Sequence, residues 1–329
     1  MSIPYVFPQH FHIAEVAAWN LTLERQIAAS WVVRAAYVGN KGTHLFGTAD
    51  QESGTLNLNP AIYAPGTSTV ANTQERRIYP DFGPIGLMDS GFNSNYNALQ
   101  MNVERRLGHG LSLLSSYTWS KQLNNFSPVG AYLVTNPFNR RVDYGRSDDD
   151  ISNVFKVSGV YQLPGTHLPG ITGKLANGWE VTSILLWQGG FPFSIFSGLD
   201  NSLSGEGSDR ADFIGTDVHA AQLSSGRSHN DLTNQFFNTS LFVPNAIGTF
   251  GNGGKNILRG PKLFNTDLGL LKDTKITEKT ALQFRAEFFN AFNNVNFLPP
   301  DHIVTDTAFG QITAAGSPRI LQFALKFLF

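Results

Sequence analysis

The chain has 329 residues, with 24 Lys+Arg against 25 Asp+Glu, a formal net charge of −1. A balance this close to zero argues against a polyanion-binding protein, because phosphate recognition draws on a surplus of cations. The absence of Cys removes disulfide scaffolds, thiolate metal sites and thiol catalysis. No run approaches 18 apolar residues, so no transmembrane helix is expected, and the start MSIPYVFPQH carries no secretory signal pattern. Charged residues are 15% of the chain against a usual share of about 25%, while aromatics reach 12% and Phe alone 26 positions. A surface poor in charge and rich in Phe and Gly suits a protein whose outer solvent is partly lipid.

In chain order, period-2 alternation recurs and helical periodicity is scarce. Residues 18–26 set Trp19, Leu21 and Leu23 against Asn20, Thr22 and Glu24. Residues 31–38 set Trp31, Val33, Ala35 and Tyr37 opposite Arg34. Segments 96–106, 111–120, 153–163, 179–188, 281–289 and 319–329 repeat the pattern, and 266–276 follows it less cleanly. Successive strand side chains point to opposite faces, so each segment has one apolar and one polar face. Nine strands of roughly nine to eleven residues are predicted, the length a tilted strand needs to cross a bilayer. The connections alternate. Tight turns at Gln26–Ser30, Leu107–Gly110 and Thr277–Thr280, and a modest one at Pro164–Gly178, are separated by long Gly/Asn/Ser-rich loops. Such loops are rare in a compact soluble domain and typical of outer-membrane barrels, whose short turns are periplasmic.

The predicted fold class is all-β, a transmembrane antiparallel β-barrel. Trp19, Tyr96, Phe155, Tyr37, Trp119 and Trp187 are assigned to an outer aromatic girdle, and Trp31, Tyr161, Trp179 and Phe329 to an inner one. Arg25, Arg105 and Lys272 break the apolar face near the tight-turn ends, where they are expected to snorkel to head groups. Glu24, Arg34, Asn102, Glu104, Lys156, Glu180, Arg285 and Glu287 fall on the polar face and are predicted to line the lumen. Nine is odd, whereas a single-chain bacterial barrel normally closes with an even number. The chain is therefore read as the C-terminal part of a larger barrel, or else Pro4–His12 or part of a long loop supplies a tenth strand.

Several segments together carry a family resemblance: AAWNLTLERQIAASWVVRAAYVGNKGTHL, FNSNYNALQMNVERRLGHGLSLLSSYTWSK, NGWEVTSILLWQGGFPFSI, FGNGGKNILRGPKLFNTDLGLLKDTKI and FGQITAAGSPRILQFALKFLF. In this order they resemble the C-terminal β-barrel of Oar-like TonB-dependent outer-membrane transporters. The resemblance implies one barrel domain over residues 1–329, without the signal peptide, N-terminal β-sandwich domain and plug that such proteins carry. It also implies a place in the Gram-negative outer membrane and a part in solute uptake. The partners implied are outer-membrane lipid, the missing barrel strands and plug, TonB engaged through that plug, the barrel assembly machinery and a solute of unknown identity. Phe323, Leu325, Phe327 and Phe329 resemble the terminal signal read by that machinery. A structural or adhesive surface protein, with the barrel as anchor, is the alternative. A soluble sandwich or propeller is a third reading.

No motif points to covalent catalysis or a cofactor. GTFGNGGKN at 248–256 lacks the Gly and Ser/Thr of a phosphate loop, and no GxSxG occurs. DNSLSGEGSDRAD at 200–212 begins like a calcium loop but ends on Ala211; Asp200, Asp209 and Asp212 remain weak metal candidates beside a plain turn reading. Asp148–Asp150 reads as an acidic loop tip. His10 and His12 would share a face if extended, without further ligands.

Overall fold

The computed structural model describes residues 5–46, 56–126, 134–207 and 209–329. Nine long strands form one antiparallel sheet: β1 (Glu15–Ala28), β2 (Trp31–Leu45), β3 (Phe92–Gly108), β4 (Leu111–Asn124), β5 (Asn153–Gln162), β6 (Trp179–Gln188), β7 (Leu263–Lys275), β8 (Ala281–Phe289) and β9 (Ile320–Leu328). Each pairs with its neighbours in sequence, from β1 at one edge to β9 at the other. All nine predicted strands are present. Among the described residues neither tenth-strand alternative supplies an edge. Tyr5–Val6 pairs parallel with Gly86–Leu87, and Gly145–Arg146 adds only a short pairing to Leu123–Asn124 at the end of β4. Pro4, the first residue of the Pro4–His12 alternative, lies outside the described residues.

Register shows why the alternation matters. Across the sheet, Arg25, Val33, Val103, Ser115, Val157, Leu185 and Thr266 form one row, so odd-numbered residues of β1–β5 share a face. On β8 and β9 the pairs are Leu282 with Phe327, Phe284 with Leu325, Ala286 with Phe323 and Phe288 with Leu321. This apolar face is open: Leu21, Leu23, Phe323 and Leu325 are 65–69% exposed. Water would make so large a patch an association hazard, whereas hydrocarbon makes it the contact surface. The soluble-sandwich reading needs a second sheet over this face; among the described residues the other sheets have only two or three short strands.

Trp19, Tyr37, Trp119, Phe155 and Trp187 lie on the apolar face toward the loop ends, with Phe155 paired to both Tyr117 and Trp187. Tyr96 does not join them. It pairs with Asn40 and Gln122 and shares the parity of Gln100 and Asn102, which puts it on the polar face. At the turn ends, the Arg105 guanidinium stacks 5.5 Å from the Trp31 ring and the Lys272 ammonium 5.4 Å from Trp179. Lys272 does not snorkel. It is 7% exposed, and Nζ donates to the Lys174 carbonyl at 2.7 Å and to that of Asn177. Those carbonyls end a seven-residue helix, α1 (Gly170–Ala176), inside the β5–β6 connection that reads as a plain turn in sequence. The helix C-terminus offers unsatisfied carbonyls and negative dipole to a cation.

The β3–β4 turn is His109–Gly110, both left-handed at φ 51° and 79°. Two residues with positive φ give the turn whose twist matches a hairpin. A Cβ on Gly110 would sit 2.5 Å from the Gln162 carbonyl oxygen. Gly110→Ala should therefore lower stability by about 1–3 kcal/mol, read as a shift of the urea midpoint in lipid vesicles; an unchanged midpoint would contradict this geometry.

Apolar burial is concentrated away from the sheet. Phe193, Ile195, Leu232, Phe236, Phe237, Phe242, Leu258 and Ile312 form a core within loops 189–262 and 290–319. Phe237 is wholly buried and packs edge-on to Phe242 and Phe309 at 5.9 and 5.3 Å. Burying one such side chain contributes about 1.5–3 kcal/mol. The loops that read as polar linkers are thus folded on a core of their own.

Candidate functional site

The four long loops leave the same end of the sheet, because every short connection lies at the other. They interlock there. Loop 46–91 meets loop 189–262 where Ala61 N donates to the Ser204 carbonyl at 2.9 Å and Arg76 Nη2 to that of Leu203 at 2.8 Å. Loop 125–152 meets it through two ion pairs. Arg210 bonds Asp143, with both side chains 5–8% exposed, and also donates to the Val142 carbonyl at 2.8 Å. Asp150, with a fully buried carboxylate, accepts from Arg146 at 2.8 Å, from Arg259, and from the Gln122 backbone at 2.7 Å. Loop 290–319 joins through Ile312 N to Thr233 O at 2.9 Å and Phe236 N to Gly310 O at 2.7 Å.

The glycine-rich segment 248–256 serves this interlock. Gly251 has φ 77°, and a Cβ there would stand 1.9 Å from the Arg210 carbonyl oxygen. Lys255 is turned inward. Its ammonium donates to Asn124 Oδ1 at 2.6 Å and the Phe126 carbonyl at 2.5 Å, and burial pulls its pKa down to about 8 against the charges of Asp148 and Asp143.

The weak metal candidates separate. Asp200 accepts from Ser202 Oγ and the backbone of Ser204 and Gly205; Asp209 accepts from the Ser202 backbone and Asn245 Nδ2. Asp212 turns elsewhere, to the backbone of Ala246 and Asn252. His12 stacks on His44 at 4.8 Å. Among the described residues, no three His, Asp or Glu side chains gather as a metal-binding group.

Glu206 is a group that sequence patterning does not single out. It receives Asn57 Nδ2 at 2.5 Å across the 46–91/189–262 contact. Burial pushes its pKa up to about 7; the Asn57 bond and Arg77 pull it down, while Asp200 and Asp209 push it further up. The folded protein then holds this proton more tightly than the unfolded chain, so the contribution of Glu206 to stability is fully present below about pH 4.5, falls as pH rises toward 7, and is lost above. Backbone amides of residues 56–87, corrected for intrinsic exchange, should lose protection between about pH 5 and pH 8, and Glu206→Gln should flatten that slope. A slope unchanged by the substitution would contradict the assignment.

All eight residues read as lumen-facing from sequence share the polar face. Glu24 opposes Arg34 in a 2.5 Å ion pair, and Arg34 opposes Asn102. Glu104 pairs with Leu114, Lys156 with Ser116, Glu180 with Gln162, Arg285 with Leu271 and Glu287 with Gly269. Two troughs open on this face. One of about 390 Å³ follows Leu114, Ser158, Thr182, Asp267 and Glu287. The other, about 310 Å³, lies nearer the loops against Tyr96, Gln100, Ser116, Thr118 and Gln122.

An open antiparallel sheet with one lipid-compatible face, one polar face and all its elaborate loops at one end defines an outer-membrane β-barrel wall. Residues 2–322 match the family model described as outer membrane beta barrel domain, and the chain belongs to that family. Its place is the outer membrane of a Gram-negative bacterium. No curated protein matches by sequence. Among solved structures, the outer membrane transporter YddB from Escherichia coli aligns over 100% of this chain and 34% of its own, at 11% identity and TM-score 0.50. The ferripyoverdine receptor of the outer membrane of Pseudomonas aeruginosa aligns over 96% and 27%, at 10% identity and TM-score 0.46. The FrpB iron transporter from Neisseria meningitidis aligns over 98% and 32%, at 8% identity and TM-score 0.45. At such identities the likeness concerns fold alone. The chain spans about a third of the YddB chain.

Proposed function

We propose that residues 1–329 form the C-terminal wall and outer loops of a TonB-dependent transporter that takes a polar solute across the outer membrane. The observation that carries this reading is the separation of faces: the apolar one meets lipid, and the one bearing Glu24, Arg34, Asn102, Glu104, Lys156, Glu180, Arg285 and Glu287 lines the passage. Among the described residues β1 and β9 each pair on one side only, and the remaining strands of the whole protein complete the barrel there. A plug in that protein engages TonB. Phe323, Leu325 and Phe327, on the apolar face of β9, with Phe329 stacked 6.2 Å from Phe327, serve as the assembly signal. The wall holds no step of covalent chemistry.

Growth comparison across nutrient sources tests uptake without knowledge of the solute. A strain lacking this gene should show a defect on particular carbon, nitrogen or iron sources, and a strain lacking TonB should share it. An adhesion defect with normal growth on every source would instead favour the surface-anchor reading.

A further inference from the structure

We propose that the outward, apolar face of β2–β4 holds, at its loop end, the head group of a phosphate-bearing lipid of the outer leaflet. The site lies on the face opposite the passage, so it stands whatever the protein transports. Strands that complete the barrel join at the edges, β1 and β9, and leave the outward face of β2–β4 uncovered. Three cations meet on that face. One row across the sheet runs Lys41, Asn95, Leu123 and Arg146. The next row toward the membrane runs Trp19, Gly39, Asn97 and Lys121. The third runs Tyr37, Leu99 and Trp119. These rows share their side of the sheet with Val33 and Val103. Lys41 and Lys121 are exposed, and neither ammonium has a bonded or ion-paired partner among the described residues.

The rows are ordered as a membrane interface is. Tyr37 and Trp119, 44% and 59% exposed, belong to the outer girdle, whose rings sit where hydrocarbon gives way to head groups. Rows on one face are about 7 Å apart along a strand, so Lys121 stands one row beyond those rings and Lys41 and Arg146 two, at the depth of the head groups. A chain of polar groups marks the same boundary. Tyr37 Oη donates to Asn97 Oδ1 at 2.6 Å, and Asn97 Nδ2 to Asn95 Oδ1 at 2.5 Å. Carboxamides are costly to place in hydrocarbon. A recess of about 410 Å³ lies among Tyr37, Asn97, Leu99, Trp119, Lys121 and Arg146, apolar toward the membrane and cationic toward the loops. That polarity fits an amphiphile, with an acyl chain against Leu99 and Trp119 and a phosphate against Lys121. A phosphate offers acceptors alone and an ammonium donors alone, and the bond between them is charge-assisted. Neighbouring carboxylates do not cancel these cations. Glu15 lies one row further out on the edge strand, opposite Thr43, and the buried Asp150 is divided between Arg146 and Arg259.

The test uses the complete protein in phosphatidylcholine vesicles. They carry a small share of lipid A, a bisphosphorylated glycolipid, with a photoactivatable diazirine on its acyl chains near the head group, or of the same lipid stripped of its phosphates. Cross-linked peptides are mapped by mass spectrometry after irradiation. Lipid A should be captured on β3 and β4 around Leu99 and Trp119, and the phosphate-free lipid at least tenfold less. Lys41→Gln combined with Lys121→Gln should cut the capture of lipid A there at least tenfold. Lys326→Gln removes a cation from the other side of the sheet, opposite Gln283 on β8, and should leave it unchanged. Excess inorganic phosphate should not displace the lipid, because it has no group for the apolar end of the recess. Heat-modifiable gel mobility confirms that each variant is folded. Equal capture of the two lipids, capture by the folded double variant within twofold of wild type, or full displacement by free phosphate would overturn the proposal.

Discussion

Asp143→Ala should release loop 189–262 from loop 125–152 while leaving the sheet intact. Asp143 and Arg210 are both nearly sealed from solvent, and the Asp143 carboxylate also accepts from the Thr135 backbone at 3.0 Å. Removing it leaves a buried guanidinium without its hydrogen-bonded counter-charge, with the weaker pull of the Asp148 carboxylate still acting on it, and its Nε already lacks a partner. Breaking a buried ion pair from one side costs about 3–5 kcal/mol, far more than an exposed pair such as Glu24–Arg34 contributes. The loss should be local, because the loops have their own core of Phe237, Phe242 and Leu258 and the sheet is held by its ladder. Trypsin cleavage within 189–262 and amide exchange there should accelerate, with β3–β5 amides unchanged. The pair replaced by apolar groups of similar volume, Asp143→Leu with Arg210→Met, should recover most of the loss, since no charge is then stranded. Cleavage of Asp143→Ala at the wild-type rate would contradict the interlocked loops.

The second large effect concerns lipid. Val157 lies mid-strand on the apolar face of β5, paired with Ser115 and Leu185; Ser158, the next residue, lies on the polar face beside Ile184 and Leu114. An arginine facing the bilayer midplane costs about 2–4 kcal/mol, because hydrocarbon cannot solvate the guanidinium. Val157→Arg should lower unfolding stability in lipid vesicles by that amount. Ser158→Arg points into a hydrated trough and should change it by no more than about 0.5 kcal/mol. Neighbouring residues with effects this unequal are the mark of a two-solvent sheet. Equal effects would contradict it.

The strands were legible in sequence because lipid leaves the alternation uncorrected. In a packed protein, neighbouring layers override local pattern; here the odd residues of β5 face one solvent and its even residues the other. Strand ends were less legible. Pairing runs on through Ala17 with Lys41 and Glu15 with Thr43, where both partners lie beyond the hydrophobic alternation that the periodicity detects. Tyr96 was misassigned by residue type, although its parity with Gln100 and Asn102 was countable. The loop core was not legible, since buried loop residues have no period: Phe236 and Phe237 are adjacent and both buried. The Asp143–Arg210 and Asp150–Arg259 links join residues 67 and 109 apart, a separation that no local pattern records.

The polar face of the candidate site was legible for the same reason as the strands, since parity assigns a side. Which of its groups are paired was not. That depends on rotamers and cross-strand neighbours, such as Glu24 meeting Arg34 while Gln100 meets no partner among the described residues.

The chain contains no Cys, so single cysteines for spin labels can be introduced without removing any. The most direct measurement places labels at Leu113, Val157 and Phe284, and at Ser112, Ser158 and Arg285 beside them, in the protein reconstituted in lipid. Collision with oxygen, which concentrates in hydrocarbon, should be high at the first three and low at the second. Collision with a water-soluble nickel chelate should show the reverse. Uniformly low access at Leu113, Val157 and Phe284 would mean that another layer of polypeptide covers them, and the membrane-wall account would fail.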